Sequence, residues 1–170
     1  MTITYDNTDA EYILGYRIFY NKFGWRSKVF AGVFILAAAL GVNMVVVSGF
    51  SSLYGYLLVG IGGFMAIQRL MTPRTMAKKL RLYLAEMPKE TYSLSLQEQR
   101  FVITTNFENT EKPPHIDTVS YTTEQVDVVV KEELYLFVVN RKVLYSVPKR
   151  CLTEEQVASL DEYLKDKALI

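Results

Sequence analysis

The longest feature of the hydropathy pattern is a segment of 40 residues, 29–68, that contains no Asp, Glu, Lys or Arg. A helix rises about 1.5 Å per residue and the hydrocarbon core of a bilayer is about 30 Å thick, so roughly 20 residues cross it once. The segment is therefore long enough for two crossings. Because residues 48–52 (Ser-Gly-Phe-Ser-Ser) favour a turn at its centre, the pattern predicts a transmembrane helical hairpin over 29–71, with helices at 29–47 and 51–71.

Basic residues flank this segment on both sides. From Arg17 to Arg81 the chain contains nine Lys or Arg residues and no Asp or Glu. Cytoplasmic flanks of membrane helices are enriched in Lys and Arg, and a hairpin places both of its flanks on the same side. We therefore predict a multi-pass protein of the cell membrane with both termini in the cytoplasm. The alternative is a buried helical hairpin in a soluble protein, but so small a domain rarely buries 40 residues on all sides.

Small residues recur inside the predicted helices. Ala37 and Gly41 in the first helix, and Gly62 and Ala66 in the second, are spaced four apart, which lets helices approach closely. Asn43 is the strongly polar side chain inside the first span and can hydrogen-bond a neighbouring helix. These five residues are predicted helix-packing positions, either within one hairpin or between the copies of a homo-oligomer.

Residues 1–28 predict a cytoplasmic strand followed by an amphipathic helix. Thr2–Asp6 can form a short strand, and Thr8 with Glu11 has the spacing of a capping box that starts a helix. Aromatic residues then recur at helical spacing, which predicts one packing face: Tyr12, Tyr16, Phe19 and Phe23.

Residues 72–88 predict a separate basic helix beside the membrane, because Pro73 suits the first position of a helix. Its basic residues are either contacts for anionic lipid headgroups or the ordinary positive charge of a cytoplasmic flank. They are Arg74, Lys78, Lys79 and Arg81.

Residues 89–170 change to a period of two, which indicates a cytoplasmic antiparallel meander. Pro113-Pro114 marks a long loop at 107–115, and Thr153 to Gln156 forms a second capping box before an amphipathic helix. The predicted class is an α+β membrane protein with a pleckstrin-homology-like β-roll closed by a C-terminal helix. Its strands are expected at 91–96, 101–105, 116–121, 125–131, 134–140 and 143–147.

The stretch IDTVSYTTEQVDVVVKEELYLFVVNRKVLYSVPKRCLTEEQVASLDEYL, together with the two-helix segment before it, resembles the bacterial YcxB-like family. The similar features are a strand ending in Ser-Tyr, an "Ile/Val-x-Val-x-Glu" type of strand, an aromatic-rich strand, and VPKR before a capped helix. The resemblance implies a two-helix membrane anchor with a pleckstrin-homology-like C-terminal domain. It implies no functional residues.

Candidate chemistry is sparse. His115 is the single histidine and Cys151 the single cysteine, whereas a zinc site needs about four clustered ligands. The sequence contains no nucleophile-elbow, Walker, Rossmann or zinc-protease motif. A Cys/His dyad stays open on the sequence alone. We expect no catalytic residue, cofactor or metal, and a net charge of only +1 argues against a nucleic-acid partner.

The function expected from these features is a non-catalytic binding module, anchored in the inner membrane, that recognises a protein or peptide partner. One alternative is a sensor of anionic lipid. Another is an immunity or regulatory protein against a membrane-acting toxin. The lipid contacts would add four basic residues to the juxtamembrane helix: Arg141, Lys142, Lys149 and Arg150.

Overall fold

A computed structural model describes residues 1–108 and 111–170, and its fold class is α+β. The described residues form two compact units, one of Met1–Tyr16 with Leu80–Ile170 (the β-unit) and one of Arg17–Lys79 (the hairpin unit). The helices are α1 (Asp9–Phe23), α2 (Trp25–Val47), α3 (Leu53–Glu86) and α4 (Glu154–Asp166), and a short 3₁₀ turn covers Lys149–Cys151. The strands are β1 (Thr2–Asp6), β2 (Glu90–Leu96), β3 (Arg100–Phe107), β4 (His115–Ser120), β5 (Val126–Val130), β6 (Leu134–Val139) and β7 (Val143–Pro148).

The strands of the β-unit form two antiparallel sheets, in the order β1-β2-β3-β4 and β5-β6-β7. The predicted short strand at the N-terminus and the six predicted β-segments are all strands, shifted by no more than two residues at either end. Alternation of apolar and polar side chains directs one face of β1, β2 and β3 into the core. Asn109 and Thr110, in the predicted long loop, lie outside the described residues.

The core of the β-unit lies between the two sheets and α4. The Phe101 and Phe137 rings, one from each sheet, are 5.4 Å apart between centroids, and Leu160 and Leu164 of α4 are fully buried in the same cluster. The predicted capping box at Thr153 and Gln156 starts α4, with both reciprocal hydrogen bonds present. The predicted closing helix is therefore confirmed.

Every residue of β6 is buried, so this strand is covered on both faces. One face of β6 packs into the core, and the first half of α1 covers the other face. A Cβ atom on Gly15 would collide with the Ser146 side chain of β7 and would lie 3.3 Å from the Leu136 side chain of β6. Glycine at this position therefore lets α1 lie directly on the sheet.

The hairpin unit contains α2 and the first part of α3, which pack antiparallel. A Cβ atom on Gly41 would lie 2.7 Å from the Gly55 carbonyl oxygen, and one on Gly62 would lie 2.9 Å from the Phe34 carbonyl oxygen. Both helices are long and apolar enough to span a membrane. Most of their large apolar side chains are exposed, such as Leu36 and Leu40.

The structure corrects the predicted helix start at Thr72-Pro73, because α3 continues through Pro73 without interruption. Proline has no N–H, so the Arg69 carbonyl loses its helical donor. The hydroxyl of Tyr20, in α1, lies 3.5 Å from that carbonyl oxygen. The apolar and basic segments that the sequence separates are therefore one helix.

Candidate functional site

Strand β4 forms an open edge of the first sheet. The Tyr121 N–H donates to the Gln99 carbonyl oxygen at 3.0 Å, on the side of β3, whereas the Ser120 N–H points away from β3 to the Glu124 carboxylate at 3.2 Å. Backbone groups alternate in direction along an antiparallel strand. The N–H and C=O groups of Ile116 and Thr118 therefore also point away from β3.

The outward-facing backbone groups of β4 form a row, and Glu124 closes the row at Ser120, to which it is hydrogen-bonded. Beyond it, within residues 1–108 and 111–170, no hydrogen-bond partner faces the outward groups of Ile116 and Thr118. Ile116, a large apolar residue, is 61% exposed. An unpaired strand edge with an exposed apolar side chain is a template for another strand.

A concave surface, the acidic cleft, lies where the β1–α1 junction faces the α3–β2 junction, and its volume is about 600 Å³. Leu80, Leu84 and Tyr12 contribute apolar surface to it. Its charged lining residues are mainly acidic: Asp6, Asp9, Glu90 and Glu108, with the single cation Lys89.

Two tyrosine hydroxyls and a carboxylate form a hydrogen-bonded chain in the wall of this cleft. The Tyr12 and Tyr92 hydroxyls bond each other, and the Tyr92 hydroxyl donates to Glu90. Burial raises the pKa of Tyr12 to about 12. Burial, and then the bond to Glu90, also raise the pKa of Tyr92. Both phenols are thus protonated donors at neutral pH, and neither is poised as a base.

Arg150 has a structural role that the lipid prediction did not anticipate. Its guanidinium binds the Glu11 carboxylate at 2.7 and 3.0 Å and the Asp6 carboxylate at 3.1 Å. Two negative charges therefore compensate its positive charge within the chain. This pairing argues against the predicted lipid contact at Arg150.

The four basic residues that cluster in the C-terminal sequence are separated in the fold. Arg141 and Lys142 lie in the β6–β7 turn, whereas Lys149 and Arg150 lie beyond the other end of β7. Six strand residues separate the two pairs by about 20 Å. The Lys149 ammonium also lies 4.7 Å from the centre of the Tyr135 ring. The four residues, although close in the sequence, therefore do not form one patch in the fold.

The predicted juxtamembrane cations are all exposed on α3, at Arg74, Lys78, Lys79 and Arg81. Those of the hairpin unit are Arg74, Lys78 and Lys79, and Arg81 belongs to the β-unit.

Three of the five predicted packing residues are buried: Gly41, Gly62 and Ala66. Gly41 and Gly62 lie in the contact between α2 and α3. Ala37 is half-buried, and Asn43 is exposed on α2. The contact within one hairpin accounts for the glycines, whereas a homo-oligomer, and a hydrogen bond from Asn43 to a neighbouring helix, stay predictions.

His115 and Cys151 have separate partners. His115 lies 3.1 Å from Asp117, and the Cys151 thiol donates to the Asp6 carboxylate at 3.4 Å. Burial raises the pKa of the thiol, which disfavours the reactive thiolate. Across the described parts of the chain, no group of three or more His, Cys, Asp or Glu side chains is placed to hold a metal.

No protein-family model, no curated protein and no solved structure matches this chain. The resemblance to the YcxB-like family therefore stays a prediction that rests on the quoted residues.

Sequence reasoning missed the pairing of Arg150 with Glu11 and the close approach at Gly15. Glu11 already had a role as a capping residue, which its hydrogen bonds to Thr8 confirm. Nothing local indicates that its carboxylate also accepts bonds from a residue 139 positions away. A glycine inside an otherwise helical pattern was the available signal for the contact at Gly15.

Proposed function

We propose that this chain is a non-catalytic module, anchored in the cell membrane by α2 and α3, that binds an extended segment of a protein partner along β4. The observation that carries the proposal is the open edge of β4, where the groups of Ile116 and Thr118 face outward. Two helices of spanning length support the anchor. Basic flanks support an orientation with both termini in the cytoplasm.

An added strand obtains affinity from main-chain hydrogen bonds and specificity from side-chain contacts. In this chain Ile116 and Thr118 would each provide one donor and one acceptor, and the exposed Ile116 side chain would provide an apolar contact. The bond from Ser120 to Glu124 closes one end of the edge. A bound segment would therefore pair with the half of β4 nearer His115.

The test is to purify the full chain from its native membranes after crosslinking in cells and to identify what accompanies it. Ile116→Pro removes an outward N–H and leaves the bonds between β3 and β4 intact. We expect this variant to fold and to lose most of the crosslinked partner. Ile116→Thr keeps the N–H, and it should retain more of the partner.

Retention of the partner by Ile116→Pro at the wild-type level would overturn binding along β4. Equal loss in both variants would assign recognition to the isoleucine side chain instead of the backbone edge. A partner that is itself a membrane-acting toxin would place the module in the immunity class.

A further inference from the structure

The hairpin unit has a charge imbalance that its own residues do not compensate. Residues Arg17–Lys79 contain eight basic side chains and no Asp or Glu. No ion pair within this unit is therefore available to any of them, and anionic partners are expected to come from outside it. The eight are Arg17, Lys22, Arg26, Lys28, Arg69, Arg74, Lys78 and Lys79.

A cavity of about 590 Å³ lies along α3, and all its lining residues belong to the stretch 64–79. Towards the hairpin turn it is lined by apolar side chains that are more than half exposed, including Phe64 and Ile67. Towards the basic end the lining gains cations and hydroxyls beside two methionines: Arg69, Met71, Thr72, Thr75, Met76 and Lys79. This is the order in which a helix leaving the hydrocarbon meets acyl chains and then phosphates.

We propose that this cavity binds one anionic phospholipid, with its phosphate at Arg69 and Lys79 and an acyl chain along Phe64 and Ile67. The Arg69 guanidinium lies 6.0 Å from the centre of the Phe30 ring of α2, a contact that holds it at the cavity. Because α3 is continuous through Pro73, one rigid element carries both the apolar and the cationic halves. The inference rests on the membrane anchoring proposed above and is independent of the peptide site on β4.

Native mass spectrometry of the full chain, titrated with phosphatidylglycerol or phosphatidylcholine, tests the proposal. The double variant Arg69→Gln with Lys79→Gln removes both charges from the cavity. Arg26→Gln with Lys28→Gln removes the same charge from residues that do not line it. We expect about thirtyfold weaker phosphatidylglycerol binding in the cavity variant and less than about threefold in the control, because each cation contributes about a factor of five.

If the cavity double variant does not fold, Lys79→Gln alone should still weaken binding about fivefold, since Lys79 is exposed. Equal losses in the cavity and control variants would overturn the site in favour of general attraction to the leaflet. Equal binding of the two lipids, which both carry a phosphate, would overturn the selectivity for an anionic phospholipid, and binding of inorganic phosphate as tight as that of the lipid would overturn the acyl contact. Release of the wild-type chain from membranes by alkaline carbonate would instead refute the anchoring itself.

Discussion

The Arg150 guanidinium connects parts of the β-unit that are far apart in the sequence. It follows β7 and binds the end of β1 through Asp6 and the first turn of α1 through Glu11. A guanidinium suits this task because its planar fork offers two parallel donors to one carboxylate. Lysine could not reproduce both bonds to Glu11.

These contacts lower the pKa values of the Asp6 and Glu11 carboxyl groups. Hydrogen bonds from the Cys151 thiol and from Arg150 hold the pKa of Asp6 below its usual value. Burial by itself would raise the pKa of Glu11, but the hydrogen bonds from Arg150 and Thr8 outweigh it and lower that pKa. Both groups therefore stabilise the fold above the carboxyl pKa of the unfolded chain, about 4, and this stability is lost as the pH falls below it.

Arg150→Gln should lower the free energy of unfolding by about 1 kcal/mol at neutral pH, because it breaks a bidentate, partly exposed pair. The loss should shrink as the pH falls from about 4 through the lowered pKa values of Asp6 and Glu11, because both carboxylates become protonated over that range. Denaturant unfolding of the full chain in detergent at several pH values measures both effects. Lys142→Gln, in an exposed turn, is the control. An equal loss in the two variants would contradict the role of the ion pair.

At the scale of elements, helix α3 differs most from the sequence-based prediction. Proline inside a helix normally ends or bends it, yet α3 extends over 34 residues through Pro73. Hydroxyls bond carbonyls around that position: Tyr20 to Arg69, Thr72 to Gln68 at 2.9 Å and Thr75 to Met71 at 3.1 Å. The span and the basic segment after it are therefore parts of one continuous helix.

Glycines on α2 and α3 should respond to substitution according to the side they face. Gly41→Ala and Gly62→Ala should each destabilise the helix pair by about 1–3 kcal/mol, because the new methyl would meet backbone atoms at 2.7–2.9 Å. Gly60→Ala and Gly63→Ala should be neutral or mildly stabilising, since nothing lies within 4 Å of their Cβ positions. Unfolding in mixed micelles compares the four variants, and similar effects in all of them would refute this packing.

At the scale of the whole molecule, the proposed anchor predicts a defined membrane topology. In a Cys151→Ser background, a cysteine at Ser51 in the hairpin turn should react with a membrane-impermeant maleimide added outside intact cells. A cysteine at Lys142 in the β6–β7 turn should react only after lysis. Ser51 and Lys142 are both exposed in the fold, so a difference in labelling would come from the membrane and not from burial in the protein.

Labelling of Lys142→Cys from outside would reverse the proposed orientation. Labelling of both positions in intact cells would contradict a hairpin that crosses the membrane twice.

The sequence by itself determined the features that depend on local periodicity. The uncharged segment indicated two apolar helices, and runs of β-type residues, strictly alternating only at 91–96, placed the strands to within two residues. The capping boxes at Thr8 and Thr153 marked the starts of α1 and α4. These predictions succeed because side-chain spacing along a helix or strand decides which face can be buried.

Only the tertiary structure decided features that depend on residues far apart in the chain. The continuity of α3 involves a hydroxyl from α1 at the Arg69 carbonyl. Arg150 pairs with Glu11 across 139 positions. The backbone groups of Ile116 and Thr118 stay unpaired because β4 lies at the edge of its sheet. Each depends on which elements become neighbours, and local side-chain spacing does not specify that arrangement.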